Sequence, residues 1–519
     1  MKKILFLVGL ISLQACNMAI KDGVQRTIQP VEGEYTVSGT TDGLPWGYDL
    51  EIFVNGDPIT DVTQGDGPFQ SNPLQDGDTY DVTIGDLPGG YVCKVNNPTG
   101  MVDSANINNI EVNCSCSREN RSLVNLDTTG STEVWNAQEL VDLSSSEKPG
   151  DIIQMCDLDY ADIKDPQPIG SFSTPYKGTY DGQGLAILDY VNNNVTAPNA
   201  GIFGMTHGAH IHDLNLVGLY LNNSCSMGQC TSMADQPNMG GLIGYAQNTM
   251  VDNIYGNDIT ITAAYESDIL SNFNVGGLVG LYNDWNASTS HIQNIHVENV
   301  TVDGGNAVTV GGIIGDAITN INPLELIKGT NVTVISDGGS ANTKCGSVVG
   351  RLWRSTSEYN SGGLRFAEVT ESSVRCEDIA GGLVGYLDNS ISQSLYQGSV
   401  SSSKHAGGIV GQMRSQATIH HALAHANVEG TVIGYMHNGA GEGSTAVPFV
   451  DNSYYTGVTC SQCADNPTIG GDSESDLNAL FYKELGNATL AAWDFNTDWC
   501  EVDTGRLPSL RNVPRSLCN

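Results

Sequence analysis

The ten histidines of the chain form no recognisable catalytic motif. None of them is followed by Glu, so the His-Glu-x-x-His pattern of zinc peptidases is absent from the sequence. The sequence also lacks a Gly-x-Ser-x-Gly nucleophile elbow, a phosphate-binding P-loop and a dinucleotide-binding fingerprint. We therefore predict a protein that is not an enzyme, with no catalytic residue and no cofactor.

Metal-binding patterns are also incomplete. His421 and His425 would share one face of a strand, but their separation of about 13 Å is too large for one ion. Cys460 and Cys463 have zinc-like spacing, but no second pair of that spacing follows. We predict no metal site here.

Calcium is the weaker alternative at one acidic turn. Asp76, Asp78 and Asp81 partly match a calcium loop, but Tyr80 stands at the fifth position and the glycine of the sixth is missing. The sequence favours a hairpin turn.

The thirteen cysteines indicate structural disulfide bonds rather than catalytic or metal-binding cysteines. Setting one aside as an anchor leaves twelve, an even number that suits an exported protein in an oxidising compartment. Connectivity stays open from sequence alone, but proximity favours five pairs: Cys93 with Cys114, Cys225 with Cys230, Cys345 with Cys376, Cys460 with Cys463, and Cys500 with Cys518. Cys116 and Cys156 would then remain for each other.

A glycine-rich repeat dominates the middle of the chain. Segments such as Gly276-Gly-Leu-Val-Gly and Gly381-Gly-Leu-Val-Gly recur seven times from Gly201, with a period of about 35 residues that shortens to about 26 near the end. A fixed period of this size predicts a solenoid. Residues 201–460 are expected to form it, 117–200 to supply opening coils, and 461–519 to cap the far end.

The repeats resemble the GLUG motif family, named for its Gly-Leu-hydrophobic-Gly core. A second element, such as Val251-Asp-Asn-Ile-Tyr-Gly or Ile292-Gln-Asn-Ile-His-Val, follows most copies. The resemblance implies an all-β fold, a right-handed parallel β-helix. Leu278 and Leu383 should stack inward, and Asn253, Asn294 and Asn452 should form amide ladders at bends. The copy at 321–328 contains Pro323, so we expect its coil to bulge.

Two smaller elements flank the first repeats. Alternating strands and the turn Asn55-Gly56 predict a small Ig-like β-sandwich over residues 32–116, which resembles a module of bacterial surface lipoproteins. Residues 133–143 have the pattern of a short helix, with Ser131 or Thr132 as its cap.

The N-terminus resembles a bacterial lipoprotein signal peptide. An apolar run over residues 4–13 leads to Leu13-Gln-Ala-Cys16, which resembles a lipobox, so residues 1–16 would hold the signal and Cys16 would carry the lipid, with 17–31 as a tether. A secreted protein with a chance cysteine is the alternative. Asn17 favours the outer membrane, and we expect a lipid-anchored, surface-exposed protein.

Charge restricts the partners. Lys plus Arg total 22 against 58 Asp plus Glu, a net charge of −36, which disfavours nucleic acid. The chain is therefore predicted to be a non-enzymatic, adhesin-like surface protein that binds a glycan or a protein of a host or neighbouring cell. Tyr255, Tyr396 and Tyr454 lie in comparable second elements and could stack on sugar rings.

Two alternatives stay open. One is a β-helix enzyme, a polysaccharide lyase or hydrolase, for which Asp252, Glu298 and Glu371 lie at related repeat positions. The other is a purely structural envelope protein.

Overall fold

The computed structural model describes residues 34–429, with gaps at 60–64, 125, 147–148, 194–197, 224–236, 264–272, 286–288, 338–342, 355–361 and 415–416. Beyond 429 it describes residues 432–438, 449–451, 454–456, 494, 497–500, 509–511, 513, 514, 516 and 518. The fold is all-β, and the predicted solenoid of parallel strands is confirmed. Cys16, Asn452 and the cysteine pairs 225–230 and 460–463 lie outside the described residues.

The first described unit is two small sheets around one buried core. Alternating residues of its strands point inward, as in Val37–Asp42 and Thr79–Ile84. Asn55 and Gly56 both have positive φ in the hairpin turn that the sequence predicted. One sheet contains, in spatial order, Gly67–Gln70, Val37–Asp42, Ile107–Cys116 and Tyr91–Asn96, the other contains Asp57–Pro58, Ile52–Val54, Thr79–Ile84 and Thr99–Met101, and Glu34–Tyr35 pairs with Leu74–Gln75.

The solenoid has a long parallel sheet, called sheet A here. Its stacking starts at Thr132–Val134, so the opening coils already belong to the same ladder as the glycine repeats. The strands of sheet A are Thr132–Val134, Ile152–Gln154, Leu158–Asp159, Thr179–Leu188, Val191–Asn192, His210–Val217, Tyr220–Asn223, Met250–Ala263, His291–Asp303, Pro323–Ser336, Gly363–Cys376, Ser390–Ser402, Thr418–Glu429, Phe449–Asp451 and Tyr454–Thr456.

A second parallel sheet, sheet B, is built from the glycine repeats themselves. The coils approach so closely that a Cβ on Gly277 would lie 2.0 Å from the carbonyl oxygen of Gly312, so no side chain fits there. The strands of sheet B are Asn199–Ala200, Phe203–His207, Asn238–Gly240, Ile243–Gln247, Asn274–Gly276, Val279–Asn283, Thr309–Gly311, Ile314–Ile318, Lys344–Gly346, Val349–Trp353, Ile379–Gly381, Val384–Asp388, His405–Met413 and Val432–Asn438.

The core runs between the two sheets as columns of stacked apolar side chains. Leu278 and Leu383 are buried, as the sequence predicted, with exposed fractions of 2% and 0%. Their column continues through equivalent residues of successive coils, whose backbone amides hydrogen-bond from one coil to the next: Leu242, Leu278, Ile313, Val348, Leu383 and Ile409. Each coil therefore buries its apolar residues only against its neighbours.

Amide ladders also form at the bends. Asn294 donates through Nδ2 to Asn253 Oδ1, and Asn253 donates to Asp213 Oδ1 at 2.8 Å. A second, buried ladder lies in sheet B, where Asn274 donates to Asn238 at 2.8 Å. These bonds satisfy side-chain amides of neighbouring coils.

Two local predictions were wrong. The coil at 321–328 does not bulge, because strand Pro323–Ser336 keeps register with the preceding coil, and Leu326 adopts the positive φ that asparagine has elsewhere. The helix is also shorter and later than predicted. Thr132–Val134 forms a strand, because it pairs with Ile152–Gln154, and the helix Ala137–Asp142 is capped by Asn136, whose Oδ1 accepts from the Glu139 amide at 3.0 Å.

Two 3-10 helices, Arg118–Leu123 and Leu143–Ser145, complete the helical content of the described part. No helix among the described residues is long and apolar enough to span a membrane.

The C-terminal segment was expected to cap the open end of the solenoid. Its described part contacts the side of sheet A, where strands Trp499–Cys500 and Ser509–Leu510 form an antiparallel pair, and the cap itself stays a prediction. The Ser509 hydroxyl and the Leu510 amide donate to Glu368 Oε2 at 2.7 and 2.8 Å. Burial raises the pKa of Glu368, and these two hydrogen bonds oppose that rise.

Candidate functional site

Four disulfides tie the described residues together: Cys93–Cys114, Cys116–Cys156, Cys345–Cys376 and Cys500–Cys518. Three of the four are pairs that proximity in the sequence favoured, and Cys116–Cys156 is the pair that remained after those assignments. Cys116–Cys156 joins the last strand of the sandwich to the opening coils, and the Trp46 amide adds a 2.7 Å hydrogen bond to Asp157 Oδ2. These bonds fix the sandwich against the first coils.

Tyr255 does not offer a free aromatic face. Its ring stacks on Trp46 of the sandwich, with centroids 5.7 Å apart and planes inclined by 23°. Its hydroxyl donates to Glu298 Oε2 at 3.1 Å, and its ring also contacts His296. Tyr255 therefore helps to seat the sandwich on sheet A.

Tyr396 is fully buried, so its predicted role in stacking on a sugar is wrong. It pairs with Val369 of the preceding coil, whereas Tyr255 lies in the column of His296, Lys328, Glu368 and Leu395. A one-residue offset in a strand moves a side chain to the opposite face. Tyr454 pairs with Leu423 and so belongs to the column of Tyr255, but its side chain lies outside what the structure describes.

The three carboxylates of the enzyme alternative do not share a repeat position. Asp252 pairs with Gln293, whereas Glu298 pairs with Thr330 on a different segment of the coil. Glu371 is the residue after Thr370, which pairs with Thr330, and it lies at a bend with positive φ. Register therefore places Asp252 on a different part of the coil from Glu298 and Glu371.

An open groove occurs where the coils become shorter. The register between strands Gly363–Cys376 and Ser390–Ser402 shifts after Val369, because Thr370 and Glu371 on one strand face only Gln397 on the next. The resulting depression has a volume of about 360 Å³ and is lined by Glu371, Ser372, Gln397, Gly398, Ser399, His425, Ala426 and Asn427.

Tyr396 supports this groove from inside the solenoid. Its hydroxyl donates to the carbonyl oxygens of Ser399 at 2.9 Å and Ser372 at 3.3 Å, and both residues line the groove. Gly398 lets the shortened coil close, since a Cβ there would lie 2.0 Å from the Ser372 oxygen. The floor of the groove is therefore backbone held by hydrogen bonds from a buried aromatic side chain.

Most residues that line the groove are polar and uncharged, although apolar atoms also contribute to its surface. Glu371, Ser399 and Asn427 are exposed, and Gln397 and His425 are half-buried. Burial lowers the pKa of His425, which favours the neutral imidazole, able both to donate and to accept a hydrogen bond. Glu371 is the one carboxylate among these lining residues. Such a surface can form many hydrogen bonds with hydroxyl groups.

Sequence reasoning missed the groove because it exists only between coils. The available signal was the change of repeat spacing from 35 residues to 26 between Gly346, Gly381 and Gly407. Here the shorter coil coincides with a register shift between neighbouring strands, in which one strand has one residue more than the next.

Comparison with known proteins yields no family. No family model matches the chain, and no curated protein does. A solved structure from Bacteroides ovatus, provisionally named an immunoglobulin A1 protease, is 18% identical, with a TM-score of 0.37 over 74% of this chain and 92% of that one. Another, named IgA1 Protease, is 14% identical, with a TM-score of 0.36 over 81% of this chain and 29% of that one.

Proposed function

We propose that this protein is a lipid-anchored, non-enzymatic surface protein whose solenoid binds an extended glycan chain. The observation that carries the proposal is the groove at the shortened coils, which is open and lined by amide, hydroxyl and imidazole groups. Hydroxyl-rich ligands are recognised by such groups through directional hydrogen bonds. The flanking strands extend the same surface along the solenoid, which suits a polymer more than a small metabolite.

Charge narrows the class of glycan. A net charge of −36, with Glu371 at the groove, opposes sulfated or uronic chains and favours neutral or cationic sugars. The single carboxylate of the lining supports binding without turnover, because glycosidases of the common types use two carboxylates roughly 5–10 Å apart.

Anchoring is the second part of the proposal. The sequence Leu13-Gln-Ala-Cys16 supports lipidation at Cys16, which would tether the protein to the outer membrane by acyl chains. A tether followed by the sandwich would hold the solenoid away from the membrane surface.

A glycan array probed with residues 17–519 tests the binding claim. We expect retention of a neutral or cationic glycan, and loss of that signal in Asn427→Ala and Gln397→Ala. Glu111→Gln, an exposed substitution on the sandwich, is the matched control and should bind as the wild type does. Equal retention by the groove variants would place the ligand elsewhere and refute the groove as the binding site.

A further inference from the structure

An imidazole and two carboxylates meet on the outer surface of the opening coils. Asp181 lies on strand Thr179–Leu188, and His212 and Asp213 lie on the next strand of sheet A, His210–Val217. Their potential ligand atoms all lie within 4.8 Å of one another. His212 Nδ1 is 2.7 Å from Asp213 Oδ2 and 3.9 Å from Asp181 Oδ1.

The backbone explains why these three groups converge. Asp181 and His212 are paired in register across the two coils, so their side chains lie side by side. Asp213 would normally point to the opposite face from its neighbour, but its φ of 53° turns the chain at the bend. That left-handed conformation brings the Asp213 carboxylate next to the His212 ring.

Supporting hydrogen bonds hold both carboxylates in place. Asn253 donates to Asp213 Oδ1 at 2.8 Å, which leaves Oδ2 facing the imidazole. Gln183 donates through its backbone amide to Asp181 Oδ1 at 2.9 Å and through its side chain to Oδ2. Partners of this kind orient the ligands of a metal ion.

The arrangement is specific to these two coils. Further along the described column that contains Asp181 and His212, the residues are Asp252, Gln293, Glu325, Arg365, Ser392, His420 and Asp451. The bend residues that follow Asp213 in the described coils are Asn253, Asn294, Leu326, Phe366, Gln393 and His421. His420 again pairs in register with an aspartate, but its bend residue is His421 rather than a carboxylate, so an imidazole next to both a paired and a bend carboxylate is not a general feature of the repeat.

An imidazole and two half-buried carboxylates are better stabilised around a divalent cation than by contact with one another. One carboxylate is enough to hydrogen-bond His212, and a second carboxylate beside it adds repulsion in a chain that is already strongly acidic. A divalent ion would neutralise both charges. Imidazole together with carboxylate oxygen is a ligand set that zinc accepts, whereas calcium prefers oxygen alone.

We propose that Asp181, His212 and Asp213 form a zinc-binding site that links two neighbouring coils of the solenoid. Zinc is tetrahedral in such sites, so three protein ligands leave one position for water or for a further group. The site lies on coils far along the chain from the groove, and its occupancy does not depend on the proposed glycan binding.

Titration of zinc into the full-length, chelator-treated protein tests this site. We expect one zinc ion per chain by calorimetry, a rise in the unfolding temperature with zinc, and no such rise with calcium. His212→Ala and Asp181→Ala should each weaken zinc affinity at least tenfold, because each removes a ligand atom. His420→Ala is the matched control, since register places His420 in the same outer column on a later coil. It should bind zinc as the wild type does.

Two results would overturn the proposal. One is unchanged zinc affinity in folded His212→Ala, and the other is equal loss in His420→Ala. If His212→Ala fails to fold, the absorption spectrum of cobalt bound to the wild type and to Asp181→Ala decides. A tetrahedral cobalt spectrum that is unchanged in Asp181→Ala would refute the site, and its loss would support it.

Discussion

Replacing Leu383 with Ala should destabilise the solenoid locally and strongly. Leu383 is fully buried, and the coils on either side place Val348 and Ile409 against the same column. The substitution removes three carbon groups worth roughly 0.8 kcal/mol each. The cavity that remains adds to this loss, because close coil packing and the neighbouring glycines prevent collapse. We expect a free energy of unfolding lower by about 3–4 kcal/mol, within the range for buried leucines.

Urea denaturation followed by circular dichroism measures this change. Hydrogen exchange should show the loss concentrated in the coils on either side, since each coil contacts only its neighbours. Leu123→Ala is the control, because the Leu123 side chain is 69% exposed, and its effect should stay within about 0.5 kcal/mol. A loss below about 1 kcal/mol for Leu383→Ala, or one spread evenly over all coils, would refute the stacked-core account.

Three further predictions concern the anchor, a disulfide and a buried carboxylate. Cys16→Ala should move the protein from the membrane fraction to the soluble fraction, and retention in the membrane would contradict lipidation. The Cys345–Cys376 pair should appear in peptide mapping of the unreduced protein, and its removal by Cys345→Ser with Cys376→Ser should cost roughly 2–4 kcal/mol, whereas free thiols at both positions in native protein would contradict it. Because burial raises the pKa of Glu368, the folded state binds its proton more tightly than the unfolded state, so stability from this group falls as pH rises from about 4.3 through the folded pKa. Denaturation of wild type and Glu368→Gln across this range should show that the free energy of unfolding of the wild type falls relative to that of the variant as pH rises. A difference between the two that does not vary with pH would show that the carboxyl does not titrate as its burial implies.

The repeat architecture was predictable because its cause is local and periodic. Each Gly-hydrophobic-Gly segment, such as the one at Leu278, specifies a close approach of backbones and an inward side chain, and repetition fixes the stack. Proximity of cysteines likewise predicted three of the four described disulfides, whereas Cys116–Cys156 was predicted only as the remaining pair. These features need only short sequence windows.

The candidate sites were not predictable because they depend on register between coils. Tyr396 was aligned with Tyr255 by motif, but it stands one residue later after the start of its second element, which turns it into the core. The groove depends on the strand opposite Glu371 being one residue shorter, and the proposed zinc site depends on the left-handed bend at Asp213. The one-residue offset of Tyr396 could have been counted in the sequence, whereas the left-handed bend at Asp213 could not have been read from it.

Tertiary contacts also replaced local preferences. Glu133 and Val134 were predicted to begin a helix capped by Ser131 or Thr132, but pairing with Ile152–Gln154 made Thr132–Val134 a strand. The C-terminal segment packs on Glu368 at the side of the solenoid, a contact between residues more than 140 positions apart. Separation of this size leaves no local trace in the sequence.

The most direct test of the central claim is the affinity and fate of a glycan retained by the protein. We predict that residues 17–519 bind such a chain reversibly, that Asn427→Ala weakens binding at least tenfold while Glu111→Gln does not, and that the recovered chain keeps its length. Shortened chains from purified wild-type protein would contradict the binding account and indicate an enzyme, and equal affinity of the two variants would contradict the groove.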